Sequence, residues 1–502
     1  MRLNAKQIAS YTGGTFSVQP IDASALMNDV TWDSRDVRRG SLYVALPGNR
    51  VDGHDFVDAA LRAGAYAALV MQPLPEATCV LARELGAAVI EVPDTAAAIT
   101  DLARAWRKHL RGKVVAVTGS TGKTTTKNLV RDVLSARGSV VATVANQNNE
   151  LGVPKTLLSA DSETEAIVVE MGMRGLGQIE SLCDFVLPDW GLITNVGESH
   201  IELLGSRENI ARAKAELLCA LPKKTGVAFL NGACALSDFM WDASGLAAWG
   251  NVRVTFDGES GASGRLSATA VSDGLAHPAV WAEDVRLDAQ GRPTFTLCAS
   301  GFTAAWPASA DATPVERQAC QLGLRGVHNV SNACSAAAVG RAFGMSLAVI
   351  AEALENALPE AGRQEVLRAR GGFTVVNDAY NANPDSMRAA LSTFCALSVS
   401  GRRVAVLGDM GELGSYARAC HEGVGAFAAQ LPLDRLLCVG ELAQHIAQGA
   451  LAAGMGTSRV SCMRGIPDTL GELEAWLEPG DAVLVKASHF MELTRVVEGL
   501  VS

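Results

Sequence analysis

The sequence predicts an α/β protein in three parts, and three observations carry that prediction. Residues Val114–Thr126 (VVAVTGSTGKTTT) set a β-branched apolar run, a glycine turn and a helix start in direct succession. Downstream, apolar strands at 166–169 and 191–196 lead into Glu170 and His200. Beyond residue 359 the strand–helix rhythm begins again. At 502 residues the chain should hold two to four domains, because single cores stop growing at roughly 250–300 residues. Polar joints at 107–113 and 359–363 divide it into 1–111, a small α/β domain; 112–358, a phosphate-loop domain on a parallel sheet; and 359–502, a Rossmann-like domain.

In the first part, Thr31–Gly48 is turn-rich and then apolar, and Asp55–Ala65 has helical spacing. Ala96, Ile99, Leu102, Ala103 and Trp106 suit one face of a second helix, with Asp94 placed to cap it. In the second part, the strand 114–117 precedes Gly119-Ser120-Thr121-Gly122, and a helix is expected from Lys123 through Leu129, Val130, Val133 and Leu134 to Gly138. A helix is also expected over 207–220. The stretch 232–325 is rich in Ala, Ser and Gly with short alternating pieces, which predicts strands in hairpins. A Gly-Val-His-Asn turn (326–329) then leads to an Ala-rich helix near 332–343. In the third part, strands are expected at 373–376, 404–407, 436–439 and 482–485.

Composition narrows the function. With 48% hydrophobic and 19% charged residues the chain is globular, and a net charge of −10 argues against a general nucleic-acid binder, which needs a basic face. Eleven cysteines lie outside C-x-x-C pairs, so neither a zinc site nor a disulfide framework is indicated. The N-terminus lacks the apolar core of a signal peptide, and no run approaches the ~18 residues of a membrane span. A cytoplasmic protein is expected.

The phosphate loop is a shortened G-x-x-G-K-T, with Val117 where the longer pattern has its first glycine. Its chemistry is nonetheless complete. Backbone N–H groups of Gly119, Ser120, Thr121, Gly122 and Thr125 approach phosphate oxygens, the helix dipole favours anions, Lys123 reaches the β/γ-phosphates, and Thr124 offers a hydroxyl to Mg²⁺. Glu170 at a strand end suits a magnesium ligand, against the plainer reading of a solvated loop carboxylate. His200 alone reads more simply as a hydrogen-bonded structural group. In a parallel sheet, ligands gather at the carboxyl ends of strands, so one site can collect all of these. Lys214 falls on the inward face of its helix, where either a snorkelling stem or a lysine aimed into the site fits. The amides of Asn146, Asn148 and Asn149 suit a peptide-like ligand, with an ordinary turn as the alternative. The 378–384 segment, with Asn381, sits at a predicted strand end and reads the same two ways. Ser34-Arg35 with Asp52-Gly53-His54 suits a phosphate or base, though a surface loop fits as well.

Taken together, TGSTGKTT (118–125), VVEMGM (168–173), ITNVGESHIE (193–202), AKAELL (213–218) and GVHN (326–329) resemble the Mur ligases. These are ATP-dependent amide-forming enzymes of peptidoglycan precursor synthesis. Within the family, NQNNELGVP (146–154), NDAYNANPDSM (377–387) and LGDMGELG (407–414) are most similar to the branch that adds D-alanyl-D-alanine to UDP-N-acetylmuramoyl-tripeptide. The resemblance implies an N-terminal domain for the UDP end of the substrate, contacted by Ser34 and Arg35, a central domain for ATP, and a C-terminal domain that closes over nucleotide and amine. It implies that Lys123 stabilises the transferring phosphate, that Thr124, Glu170 and His200 serve two Mg²⁺ ions, and that Lys214 is carbamylated and faces the metal. His328 and Asn329 would contact adenine, Arg363 and Asp378 the ribose or phosphates, and Asn146, Asn148, Asn149, Asn381 and Lys486 the substrates. A monomer is expected.

The chain departs from the family pattern in three places. Lys486-Ala487-Ser488-His489 stands where relatives carry Lys-Gly-Ser-Arg, Asn377-Asp378 replaces an acidic pair, and Gly232-Ala233-Cys234 replaces acidic residues after Leu230-Asn231. Two alternatives frame the expectation. A sibling ligase adding a single amino acid is opposed by the amide-rich 146–154 segment. A nucleotide-switched interaction protein would not need Glu170, His200 and Lys214 beside the loop.

Overall fold

The structure, a computed structural model, describes residues 1–48, 51–259, 278–302 and 314–502. Each predicted part is organised on its own main sheet. The N-terminal sheet runs in the order Thr15–Val18, Ala88–Glu91, Ala67–Val70, Ser41–Val44, Asp29–Thr31, parallel except for its first edge strand. Helix Thr95–Arg107 begins at Asp94, whose carboxylate accepts from the backbone N–H groups of Ala96 and Ala97, a cap worth about 1 kcal/mol. Its buried face, Ala98, Ile99, Leu102, Ala103 and Trp106, packs on the central domain, where the Trp106 indole donates to the Ala160 carbonyl at 2.9 Å.

The central sheet has nine strands, in the order Glu316–Gln321, Pro293–Ser300, Ala279–Leu287, Val252–Asp257, Val227–Asn231, Trp190–Ile193, Lys113–Thr118, Ala166–Glu170, Val140–Ala142. It is parallel from Val140–Ala142 as far as Ala279–Leu287 and antiparallel beyond. Strand Lys113–Thr118 lies between its two chemically marked neighbours, with Glu170 beside Val117 and Ile193 beside Thr118. The strand order reverses direction there, so a crevice opens at the carboxyl ends. Helix Lys123–Ser135 packs against helix His328–Ala342, whose alanines permit a close crossing; a Cβ on Gly340 would sit 2.8 Å from Val133 Cγ1.

Several expectations are corrected. The strand predicted over 191–196 ends at Ile193, because Thr194 and Asn195 turn their side chains to the phosphate loop. Hairpin strands do form at 279–321, but Val252–Asp257 is parallel to its neighbours and Ser237–Ser244 is a helix. Positions 260–277 and 303–313 of that stretch lie outside the described residues. The Gly-Val-His-Asn turn is shorter than expected, since His328 already opens the Ala-rich helix.

The C-terminal sheet runs Glu365–Arg368, Thr374–Asp378, Ala482–Lys486, Arg403–Gly408, Arg435–Val439, Val460–Met463, all parallel except the first. Its register sets Asp378 beside Lys486 at the end facing the central domain. Two strands escaped the sequence pattern: Glu365–Arg368 is a short edge, and Val460–Met463 is half-exposed.

Candidate active site

A cleft of about 1610 Å³ opens between the central and C-terminal domains, and the phosphate loop forms its floor. The loop needs its glycines. Gly119 and Gly122 have φ of +152° and +77°, and a Cβ would approach Thr194 Oγ1 to 1.8 Å or Asn332 Oδ1 to 2.5 Å. Asn195 fixes the turn: its carbonyl accepts from Ser120 N at 3.1 Å, its Oδ1 from Thr121 N at 3.0 Å, and its Nδ2 donates to Thr121 Oγ1 at 2.7 Å. Lys123 folds back over this turn and donates to the Gly119 carbonyl at 2.8 Å. Burial draws its ammonium below the usual lysine range, against the opposing pull of Glu170. Thr125 follows in the first helical turn and also lines the cleft.

Glu170 is the acidic wall. It is 1% exposed; Oε1 accepts from Asn148 Nδ2 at 2.8 Å and from Thr124 Oγ1 at 3.2 Å, while Oε2 has no hydrogen-bond donor among the described residues. A buried carboxylate oxygen without a donor costs free energy unless a cation takes it up. Among the described residues no group of three or more His, Cys, Asp or Glu is arranged to hold a metal ion. A divalent ion at Glu170 and Thr124 would therefore draw further oxygens from phosphate and water, the preference of Mg²⁺ rather than zinc. Lys214 is also 1% exposed, and burial, followed by the charge of Lys123, sets its proton affinity well below the lysine range. Among the described residues no carboxylate offsets that effect. The snorkelling alternative is thereby removed, since the head group is as buried as the stem.

The C-terminal domain contributes the opposite wall. Arg363 Nη2 donates to Thr124 Oγ1 at 3.1 Å, and its guanidinium stacks 4.2 Å above the Tyr380 ring. Asp378 and Lys486 form a buried ion pair at 2.8 Å, and Lys486 Nζ also donates to the Asn381 carbonyl at 2.8 Å. Burial raises the Asp378 carboxyl, with Lys486 opposing. His328 lies 3.4 Å from Gln364 Nε2, and burial followed by the Lys486 charge pushes its imidazole down to about 4. It is neutral at pH 7 and offers one donor and one acceptor, as a base edge requires. Asn329 is turned inward, donating to the Arg325 carbonyl at 2.6 Å and accepting from Asn332 at 2.8 Å. His200 has φ +65°, and its Nδ1 lies 2.7 Å from Glu412 Oε2 across the domain boundary. Arg174 Nε reaches the other oxygen of Glu412 at 3.3 Å.

The structure thus gathers Lys123, Thr124, Glu170, His200, His328, Arg363, Asp378, Asn381 and Lys486 around one cleft; Lys214 is not in its lining, though the charge of Lys123 reaches it. Asn146, Asn148 and Asn149 line the same cleft, but the Asn149 Oδ1 accepts from Gly152 N at 3.0 Å and is committed to capping a helix. Ser34 and Arg35 are outside it; Arg35 is exposed and paired with Asp33. His54 serves the fold, with Nδ1 2.6 Å from Asp52 and Nε2 accepting from Met71 N at 3.0 Å. Of the departures, Ala487 is fully buried, Ser488 Oγ accepts from Gly411 N at 2.9 Å, and His489 is exposed at the cleft with its ring 5.9 Å from that of Tyr380. Sequence reasoning missed Lys127, Asn195, Asn332 and Glu412. Asn195 and Glu412 carried a signal, lying within ITNVGESHIE and LGDMGELG; Lys127 and Asn332 lay in none of the motifs.

The Mur ligase family catalytic domain matches residues 27–107, the Mur ligase middle domain 117–340, and the Mur ligase glutamate ligase domain 362–489. The chain is 36% identical to the UDP-N-acetylmuramoyl-tripeptide–D-alanyl-D-alanine ligase of Mycobacterium tuberculosis, over 100% of this chain and 98% of that protein. It is 33% identical to the enzyme of the same name from Bacillus subtilis, over 100% and 99%. Crystal structure I of MurF from Acinetobacter baumannii superposes with a TM-score of 0.78 at 28% identity, covering 100% and 99% of the two chains. MurF from Thermotoga maritima in complex with ADP gives 0.71 at 26% identity, covering 94% and 97%. With all three domains matched in order and whole-length relatives above 30% identity, the chain belongs to the Mur ligase family.

Proposed function

We propose that this chain is an ATP-dependent ligase that joins D-alanyl-D-alanine to UDP-N-acetylmuramoyl-tripeptide through an acyl phosphate, releasing ADP and phosphate. The observation that carries the reading is the Glu170 carboxylate, with one oxygen held by Asn148 and Thr124 and the other without a donor among the described residues, beside a lysine-bearing phosphate loop. That is an acidic group prepared for a cation on a nucleotide phosphate. The names of the relatives, each covering almost its full length, supply the substrates.

In the proposed mechanism the ATP phosphates lie on the backbone N–H groups of Gly119 to Thr125. Thr124, Glu170 and His200 would hold two Mg²⁺, which when bound offset charge on the phosphoryl oxygens. The tripeptide carboxylate attacks the γ-phosphorus in line, the bond to the β–γ bridging oxygen breaks, and ADP leaves. Lys123 swings from the Gly119 carbonyl to the developing charge. The dipeptide amine then attacks the acyl carbonyl, the C–N bond forms, phosphate departs, and the amine proton is lost. Lys214, whose buried amine is held towards the neutral form, is suited to adding CO₂ with loss of a proton; the resulting carbamate would place an anion beside the metal. Neutral His328 with Asn329 would meet adenine, Arg363 and Asp378 the ribose or phosphates, and Ser34 and Arg35 the UDP end. Asn146, Asn148, Asn149, Asn381 and Lys486 would meet the peptide substrates. The working form is read as a cytoplasmic monomer with domains at 1–111, 112–358 and 359–502; no helix among the described residues is long and apolar enough to cross a membrane. The test is phosphate release from ATP with the UDP-tripeptide, with and without D-alanyl-D-alanine. Turnover that requires all three substrates supports the reading, and hydrolysis indifferent to the peptide refutes it.

A further inference from the structure

Lys127 is a second lysine of the phosphate-loop helix, one turn after Lys123, and it is 1% exposed. Its ammonium donates to the Thr143 carbonyl at 2.7 Å and lies 3.5 Å from the Ala145 carbonyl. Burial lowers its proton affinity, and the longer-range charges of Glu170 and Glu360 oppose that. An ammonium buried against carbonyls is an expensive way to fill a gap that Leu or Met would fill as well. The expense points to what those carbonyls control.

Thr143 is the residue whose Oγ1 accepts from the backbone N–H of Glu170 at 3.0 Å. Ala145 has φ +47°, a left-handed conformation that costs a non-glycine residue about 1 kcal/mol and persists only where the surroundings impose it. After it comes the amide loop: Asn148 N donates to the Asn146 carbonyl at 2.7 Å, Gly172 N donates to the Asn148 carbonyl at 2.9 Å, and Asn148 Nδ2 donates to Glu170 Oε1. One ammonium therefore ties the phosphate-loop helix to the acidic strand end and to the loop carrying three cleft-facing asparagines.

We propose that Lys127 is a positioning residue that holds the 143–149 loop in register with Glu170, so that peptide binding and phosphate chemistry share one rigid frame. This rests on the reading of the cleft as a peptide ligase site. Its effect should fall on the peptide substrate, because the turn that cradles phosphate is fixed separately by Asn195.

The test compares wild type with Lys127→Met and Lys127→Gln in the full-length protein. Hydrogen exchange followed by mass spectrometry reads the loop directly. Lys127→Met should speed exchange over 145–149 by about tenfold or more, the effect of losing a charge-assisted hydrogen bond, and leave 119–124 unchanged. In steady state, KM for the UDP-tripeptide should rise about tenfold while ADP affinity stays within about threefold. Should Lys127→Met fail to fold, Lys127→Gln decides; its shorter amide keeps a donor for one carbonyl and should give the same pattern at smaller size. Unchanged exchange over 145–149, or equal losses in ADP affinity and peptide KM, overturns the proposal. If wild type shows no peptide-dependent turnover, the ligase reading fails, and the exchange comparison still decides the role of Lys127.

Discussion

Replacing Gly122 by alanine tests the phosphate loop at its tightest point. The residue sits at φ +77°, and a Cβ there would lie 2.5 Å from Asn332 Oδ1, where ordinary contact begins near 3.4 Å. Left-handed backbone costs an L-residue about 1–2 kcal/mol. Relieving the contact moves Asn332 by close to an ångström and breaks the bond it accepts from Thr126 Oγ1 at 3.1 Å, roughly another 1 kcal/mol. The sum is about 2–3 kcal/mol. Gly177 is the internal control, with φ +79° but no atom of the described residues within 4 Å of a would-be Cβ, so Gly177→Ala carries the backbone cost alone. Thermal unfolding should show a drop of several degrees for Gly122→Ala, at about 2–4 °C per kcal/mol for a domain of this size, and about half as much for Gly177→Ala. ADP affinity should fall about tenfold or more in Gly122→Ala and stay unchanged in the control. Equal losses in the two variants, or full ADP affinity in Gly122→Ala, would refute the argument that this glycine is required by Asn332.

Three further outcomes are expected. Lys123→Ala should fold normally and lose at least about a hundredfold in kcat, because charge on the transferring phosphate goes unmet; near-normal turnover would remove Lys123 from the chemistry. Lys214→Ala should be nearly inactive and regain activity with added short carboxylates, since the missing group is an anion; an active variant would return Lys214 to a packing role. His328 links stability to pH: its imidazole titrates at about 4 in the folded chain against 6.5 when free, so the unfolded chain binds the extra proton first. Stability contributed by the neutral ring is therefore present above pH 6.5 and lost as pH falls towards 4, and His328→Gln should flatten that part of the melting profile.

Much of the site was legible because the chemistry sits where strands end. The phosphate loop, Glu170 and His200 each follow an apolar run, and parallel pairing brings the ends of such runs together. Lys214 was ambiguous in sequence because helical spacing places a Cα on the inward face without saying how far the head group travels. Packing resolved it, at 1% exposure. Lys127 gave no signal, since a lysine in a TTTKN run looks like any solvated helix position until the strand 140–142 covers it. Asn195 and Asn332 hold the phosphate loop from residues 74 and more than 200 positions away, respectively, a relation no local pattern encodes. The amide loop illustrates the opposite error: Asn148 does reach the site, but Asn149 spends its oxygen on a helix start, the ordinary use of Asn before a helix.

The choice of amine decides whether this chain is a D-alanyl-D-alanine ligase. The enzyme is given ATP, the UDP-tripeptide and D-alanyl-D-alanine and, in parallel reactions, meso-diaminopimelate, L-lysine or L-glutamate with the matching nucleotide precursors, and phosphate release and product mass are followed together. D-Alanyl-D-alanine should support the highest kcat/KM, with a product heavier by the dipeptide less water, despite His489 standing where relatives carry arginine. Faster turnover with a single amino acid than with the dipeptide would contradict that assignment.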